Sequence, residues 1–139
     1  MDLPSLEATA RLARTVVDRT EPGSLVLLAG PLGAGKTTLV QQIGAVLGSP
    51  AHISSPTYTL IHEYPSPAGL IVHIDAYRLA GARLLTDMGL DDYLARARLV
   101  VVEWGEPLRA DYPDALLVVL ELSGGERKAR LEPPLAITL

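Results

Sequence analysis

The chain has 139 residues, 48% of them hydrophobic and 20% charged, which is the balance of one globular domain spanning residues 1–139. The formal net charge is −4 and the basic residues are scattered, so the sequence lacks the basic face with which a protein grips nucleic acid unaided. It has no cysteine, no secretory signal and no apolar run long enough to cross a bilayer, so we expect a cytoplasmic protein without disulfides or membrane contact.

The sequence of the first part of the chain predicts a helix, a buried strand and a second helix, in that order. Apolar residues recur at helical spacing from Ser5 to Arg19, and Pro22-Gly23 ends that helix. The run from Leu25 to Ala29 is wholly apolar and of strand length, which is typical of a strand covered on both faces. A second helix is predicted from Thr38 to Leu47, closed by Gly48.

The rest of the chain predicts a series of strands with short helical pieces between them. The strands are predicted at residues 57–64, 70–74, 99–103, 115–122 and 127–131, and the helical pieces at 80–95. Gly124-Gly125 is the predicted hairpin turn between the last two strands. Strands that alternate with helices predict an α/β layered domain with a mostly parallel central sheet, to which hairpins add antiparallel strands.

A phosphate-binding motif occupies the turn between the first strand and the second helix. Residues 30–37 read Gly-Pro-Leu-Gly-Ala-Gly-Lys-Thr, which satisfies the P-loop pattern in the context that the pattern requires. Glycines allow positive φ and turn backbone N–H groups toward phosphate oxygens. We expect Lys36 to reach the β- and γ-phosphates and the Thr37 hydroxyl to bind Mg²⁺. The predicted fold is therefore P-loop NTPase-like, and the predicted phosphate-binding residues are Gly33, Ala34, Gly35, Lys36, Thr37 and Thr38.

Two acidic residues that end apolar strands are candidates for the Mg²⁺ side of the site. Glu103 follows four apolar residues, and Asp75 ends the strand that contains His73. Carboxylates at the carboxyl ends of buried strands lie where open α/β sheets bind ligands. The alternatives are that Glu103 caps the next turn and that Asp75 pairs with Arg78. His73 is interpreted as structural.

Trp104, the only tryptophan, follows Glu103 directly. From its residue type alone we expect it in the core, where most lone aromatic side chains pack. The other interpretation is that it lies over a bound ligand or a partner protein.

Taken together, the motifs resemble those of the TsaE family, small P-loop ATPases of the bacterial pathway that makes threonylcarbamoyl-adenosine in tRNA. The resemblance rests on the order and spacing of several segments across most of the chain. They are residues 32–38 (LGAGKTT), 55–60 (SPTYTL), 73–79 (HIDAYRL), 88–90 (MGL) and 103–104 (EW). The P-loop is shared by many families, whereas the other segments together are much more specific.

The resemblance implies an ATPase that binds ATP and Mg²⁺ and works with the TsaB and TsaD subunits of the tRNA-modifying complex, reaching tRNA only through that complex. It implies that Glu103 is the Mg²⁺-side acid, that Thr57 lies in a loop that senses the γ-phosphate, and that Asp75 positions water. The resemblance also implies that Lys36 is the P-loop catalytic lysine and that Trp104 lies at the nucleotide site or partner surface.

Weaker matches to the family place Thr9 and Arg127 near the nucleotide, although a surface Thr and a hairpin Arg are also common without such a role. One departure is Pro31, which stands where the family usually has an acidic residue. Because the phosphate cradle uses backbone groups at other positions, we expect nucleotide binding to survive this change.

Three other functions remain open from the sequence. In a small P-loop kinase, Arg78 and Arg83 would clamp a second phosphate, but no acceptor motif is present. A GTPase normally carries an Asn-Lys-x-Asp segment for guanine, and this chain contains no Asn. The third alternative is a nucleotide-dependent binding module with little hydrolysis.

Overall fold

The computed structural model describes residues 3, 5–31, 33–50, 61–76 and 89–132. The helices and strands follow in chain order: α1 (Leu6–Asp18), β1 (Ser24–Ala29), α2 (Lys36–Val46), β2 (Ile61–Tyr64), β3 (Ile71–Asp75), α3 (Leu90–Arg96), β4 (Leu99–Glu103), a 3₁₀ helix (Glu106–Ala110), β5 (Leu116–Ser123) and β6 (Glu126–Glu132). The predicted strand and helix segments at residues 57–60 and 80–88 lie outside the described residues.

The described strands form one sheet in the order β2-β3-β4-β1-β5-β6. The four central strands, β3, β4, β1 and β5, pair in parallel. The edge strands β2 and β6 pair antiparallel with β3 and β5. This mixed sheet confirms the α/β prediction of a mostly parallel centre with antiparallel hairpin additions.

Residue alternation along the central strands divides the core into two layers. In β1, Val26 and Leu28 face the layer that contains α1 and α2, whereas Leu25 and Leu27 face the layer that contains α3 and the 3₁₀ helix. Successive side chains of a strand point to opposite faces, so a continuous apolar strand serves both layers. Among the described residues, no helix is both long enough and apolar enough to cross a membrane.

The helix α2 begins two residues before its predicted start at Thr38. Gly35 precedes it in the left-handed conformation, with φ of 102°, and the helical backbone starts directly at Lys36. The predicted start missed Lys36 because the glycine ends the loop without any side-chain cap that a sequence pattern would reveal.

The carboxyl ends of the four parallel strands lie side by side, and this edge of the sheet runs across the strand ends rather than along β2 or β6. The P-loop follows β1 at this edge. The same edge receives the amino-terminal segment, because the Leu3 N–H donates to the Arg127 carbonyl at 2.8 Å. Ala29, the last residue of β1, lies beside Val119, so β5 continues past the end of β1. The β5–β6 hairpin therefore extends beyond the point at which the P-loop begins.

Candidate nucleotide site

The loop after β1 has the backbone conformation that its glycines predict. Gly30, Gly33 and Gly35 have φ values of 142°, 81° and 102°, in the range that side chains disfavour. A Cβ at Gly30 would lie 2.3 Å from the Leu120 carbonyl oxygen, so only glycine fits beside β5. At Gly33 and Gly35, a Cβ would meet no atom of the described residues within 4 Å. The loop is thus packed against the sheet at its start and open at its outer turn.

Lys36, the first residue of α2, is buried with only 5% of its surface exposed. Its Nζ donates to the carbonyl oxygens of Gly30 at 2.5 Å and Pro31 at 2.9 Å. Burial lowers the pKa of the Lys36 ammonium below its ordinary value of 10.5. Three carboxylates nearby oppose this shift: Glu103, Glu106 and Asp75. The ammonium therefore lies inside the loop, among acceptors that phosphate oxygens can replace.

Trp104 lies against the P-loop lysine and is half-buried, so the core position expected from its residue type is wrong. The Lys36 Nζ is 3.9 Å from the Trp104 ring centroid, within the range of a cation–π contact. Trp104 has a φ of 62°, and it is the one described residue other than glycine with positive φ. Trp104 lies in the turn after β4, and the next residue, Gly105, donates its N–H to the Leu28 carbonyl of β1 at 3.2 Å.

Thr37 and Glu103 meet at the same edge of the sheet, although they are far apart in sequence. The Thr37 Oγ1 lies 3.3 Å from Oε1 and 3.4 Å from Oε2 of Glu103. Glu103 is buried at the end of β4, and its side chain faces α2. The contact is evidence against the alternative that this carboxylate caps the following turn.

His73 contacts the same carboxylate from the neighbouring strand β3. Its Nε2 lies 2.5 Å from Oε2 of Glu103, and the imidazole is completely buried. The sequence interpretation of His73 as purely structural missed this contact. The available signal was a lone polar residue in an otherwise apolar strand, two positions before Asp75 and on the same face of the sheet.

Asp75 ends β3 directly beside Glu103 in the parallel register and is partly exposed. The structure therefore brings the two candidate carboxylates together. Arg78, the alternative partner of Asp75, and Thr57, the predicted γ-phosphate sensor, lie outside the described residues.

The remaining predicted residues lie in the loop, in α1 and α2 and on β6. Ala34 is buried in the loop, and its N–H donates to the Pro31 carbonyl at 3.2 Å; Thr38 is partly buried in the first turn of α2. Thr9 lies in α1, where its Oγ1 donates to the Ser5 carbonyl at 3.4 Å. Arg127 is exposed on β6, opposite Leu122 in the hairpin that extends past the P-loop.

The donor set suits a triphosphate with Mg²⁺. Mg²⁺ prefers oxygen ligands and is usually bound by one or two protein oxygens together with substrate phosphates and water. The Thr37 hydroxyl and the Glu103 carboxylate supply such oxygens, and the Lys36 ammonium supplies the opposite charge for phosphate. As far as the described residues go, the turn at Gly33 and Gly35 leaves room for phosphate beside the backbone.

Comparisons with known proteins identify the family of the chain. The family model described as "Threonylcarbamoyl adenosine biosynthesis protein TsaE" matches residues 3–131. A Haemophilus influenzae protein named tRNA threonylcarbamoyladenosine biosynthesis protein TsaE is 40% identical over 100 residues. The matched residues are 72% of this chain and 63% of that protein, so the chain spans less than two thirds of this relative's length. The Bacillus subtilis protein of the same name is 32% identical over 123 residues, 88% of this chain and 77% of that protein.

A solved structure shows the same fold. The crystal structure of Bacillus subtilis YdiB superposes with a TM-score of 0.74 and 28% sequence identity, covering 96% of this chain and 84% of that one. Since the family model also spans most of the sequence, this chain belongs to the TsaE family.

Proposed function

We propose that this chain binds ATP and Mg²⁺ and hydrolyses ATP in support of threonylcarbamoyl-adenosine modification of tRNA, together with TsaB and TsaD. The observation that carries the proposal is the contact of Thr37 with Glu103 beside the P-loop lysine, because a hydroxyl and a carboxylate in this position are groups that would hold a nucleotide-bound Mg²⁺. The pathway is the one for which the Haemophilus influenzae and Bacillus subtilis relatives are named. That role implies a cytoplasmic protein.

Phosphate binding would use the loop backbone and Lys36. The Nζ of Lys36 would exchange the carbonyl oxygens of Gly30 and Pro31 for oxygens of the β- and γ-phosphates. Thr37 and Glu103 would hold Mg²⁺, which neutralises charge on the phosphates when it is bound. The remaining chemistry of the cradle comes from backbone N–H groups and the amino end of α2.

Other residues would complete the site around the triphosphate. Asp75, beside Glu103, would orient the attacking water, and Thr57 would sense the γ-phosphate. Trp104 would cover the Lys36 side of the site. Thr9 in α1 and Arg127 on β6 would contact the nucleotide.

Hydrolysis should depend on the partner proteins. The P-loop and switch motifs of this sequence contain no Arg placed to stabilise the transition state, and an Arg supplied in trans raises the rate of P-loop enzymes by about 10³–10⁵-fold. Arg78 and Arg127 are alternative sources within the chain. The net charge of −4 favours contact with tRNA through the complex rather than directly.

The test is steady-state phosphate release by the protein alone, then with TsaB and TsaD, then with tRNA added. We expect slow release alone and faster release in the complex. Lys36→Ala should abolish hydrolysis without unfolding the domain, whereas Lys128→Ala, which changes the only other lysine, should not.

Two results would contradict the proposal. If the folded Lys36→Ala variant hydrolysed ATP as the parent does, the P-loop assignment would be wrong. If the isolated chain already released phosphate as fast as the full assembly, a self-sufficient ATPase or a kinase would explain the site better. A screen of phosphate acceptors would distinguish those two.

A further inference from the structure

The buried imidazole of His73 is an unexpected feature of the sheet. It lies in the middle of β3, where Ile71, Val72 and Ile74 are all buried apolar residues. A buried polar group destabilises the fold unless it is hydrogen-bonded. The hydrogen bond that the structure records for this ring is to Glu103, at 2.5 Å.

The direction of that hydrogen bond follows from its acceptor. A carboxylate accepts, so Nε2 of His73 donates to Oε2 of Glu103. The other ring nitrogen, Nδ1, is buried and has no hydrogen-bond partner within the described part of the chain. The tautomer with its hydrogen on Nε2 leaves Nδ1 as an acceptor only, which avoids a buried donor without a partner. The ring is thus arranged as a single donor aimed at Glu103.

The same carboxylate contacts Thr37, so three side chains from three elements are joined. His73 from β3 holds Oε2 of Glu103 in β4, and this orients the carboxylate so that Thr37 Oγ1 at the start of α2 lies 3.3 Å from Oε1 and 3.4 Å from Oε2. Without the imidazole, this carboxylate could rotate about its terminal torsion, which is a soft one for Glu.

We propose that His73 is a positioning residue that orients Glu103 for the cation shared by Glu103, Thr37 and the nucleotide phosphates. This inference rests on the proposed function. Groups that hydrogen-bond a metal-ligating side chain fix its orientation, and their loss costs about 10–100-fold in metal affinity or activity. His73 would act only through Glu103 and would not touch the cation.

The experiment measures Mn²⁺ binding to the protein–ADP complex by electron paramagnetic resonance, with Mn²⁺ as the probe for Mg²⁺. His73→Leu removes the donor and keeps an apolar side chain of similar size, and His73→Gln restores an N–H donor. We expect about a 10–100-fold loss of Mn²⁺ affinity in His73→Leu and recovery of most of it in His73→Gln. ADP affinity measured in EDTA, and the melting temperature of His73→Gln, should stay near those of the parent.

His62→Leu is the matched control. His62 lies directly opposite His73 in the antiparallel pair of β2 and β3, and its Nδ1 contacts the Tyr64 hydroxyl at 3.2 Å instead of a candidate ligand. It should leave Mn²⁺ affinity unchanged. In a Glu103→Gln background, His73→Leu should cause no further loss, because residues that act through one contact are not additive.

The inference fails if His73→Leu binds Mn²⁺ like the parent, if His73→Gln is as weak as His73→Leu, or if ADP affinity in EDTA falls in parallel. If neither His73→Leu nor His73→Phe folds, the ring belongs to the core and the positioning role is overturned. If the parent protein itself does not bind Mn²⁺ with ADP, the proposed function fails instead, so the two failures can be told apart.

Discussion

The ammonium of Lys36 lies over the indole of Trp104, with Nζ 3.9 Å from the ring centroid. This contact joins the start of α2 to the turn after β4. A cation–π contact of this kind contributes about 0.5–2 kcal/mol, depending on how dry its surroundings are. Any ligand that attracts the ammonium elsewhere must therefore change the surroundings of the indole.

Trp104 fluorescence is predicted to report nucleotide binding. Saturating ATP and Mg²⁺ should shift its emission, because Lys36 would leave the indole face for phosphate oxygens. The signal is unambiguous, since the chain has one tryptophan. The Lys36→Met variant is the control and should show a smaller shift. An emission spectrum that neither ATP·Mg²⁺ nor the TsaB–TsaD pair changes would contradict a place for Trp104 at the site.

Gly30→Ala is predicted to destabilise the domain strongly. The new Cβ would lie 2.3 Å from the carbonyl oxygen of Leu120, a backbone atom that β5 holds in place, at a φ of 142°. Overpacking and unfavourable φ together should lower the free energy of unfolding by about 2–5 kcal/mol. Urea unfolding measures this, with Gly33→Ala as the control, since its Cβ meets no described atom within 4 Å. Equal losses in the two variants would rule out the crowding by Leu120.

Alkaline stability is predicted to depend on Lys36. Burial lowers the pKa of Lys36 below 10.5, so the folded protein releases this proton at a lower pH than the unfolded chain. Between the two pKa values the unfolded chain binds more protons, and the free energy of unfolding therefore rises with pH in that window. Urea unfolding over an alkaline pH series should show this rise in the parent relative to Lys36→Met. A difference that stays constant up to pH 10.5 would contradict it.

ATP is predicted to bind more tightly than GTP. The chain has no Asn with which to build the Asn-Lys-x-Asp segment that normally selects guanine. Calorimetry with each nucleotide and Mg²⁺ measures the two affinities. Comparable affinities would count against an adenine-specific site and would favour the alternative that the protein is a GTPase.

Much of the sheet could be predicted because its central strands are recognisable from local sequence patterns. The apolar runs of β1 and β4 are buried on both faces, and the Gly124-Gly125 turn joins β5 and β6 where the sequence indicated a hairpin. The order of the strands depends on parallel pairings between distant segments, such as Leu28 beside Glu103, which no local pattern contains.

Site residues that belong to a sequence motif could be predicted. Contacts that arise only from the packing of distant segments could not. Lys36, Thr37 and Glu103 follow from the P-loop and from an acid that ends an apolar strand. The contact of His73 with Glu103 depends on the register of β3 against β4, and that of Trp104 with Lys36 depends on a turn with positive φ. Residue type alone favoured structural roles for both His73 and Trp104.

The direction of β5 across the sheet makes this chain convenient for site-specific labelling. The strand runs from Leu116 to Ser123 and spans about 23 Å at the usual strand rise, so the exposed positions Asp114, in the turn before the strand, and Ser123 lie at opposite ends of it. The chain has no cysteine, and one introduced thiol would carry the only reactive sulfur. A fluorophore at Ser123, at the carboxyl end of β5, would therefore sense events on the P-loop side of the sheet, whereas one at Asp114, in the turn before β5, would serve as its reference.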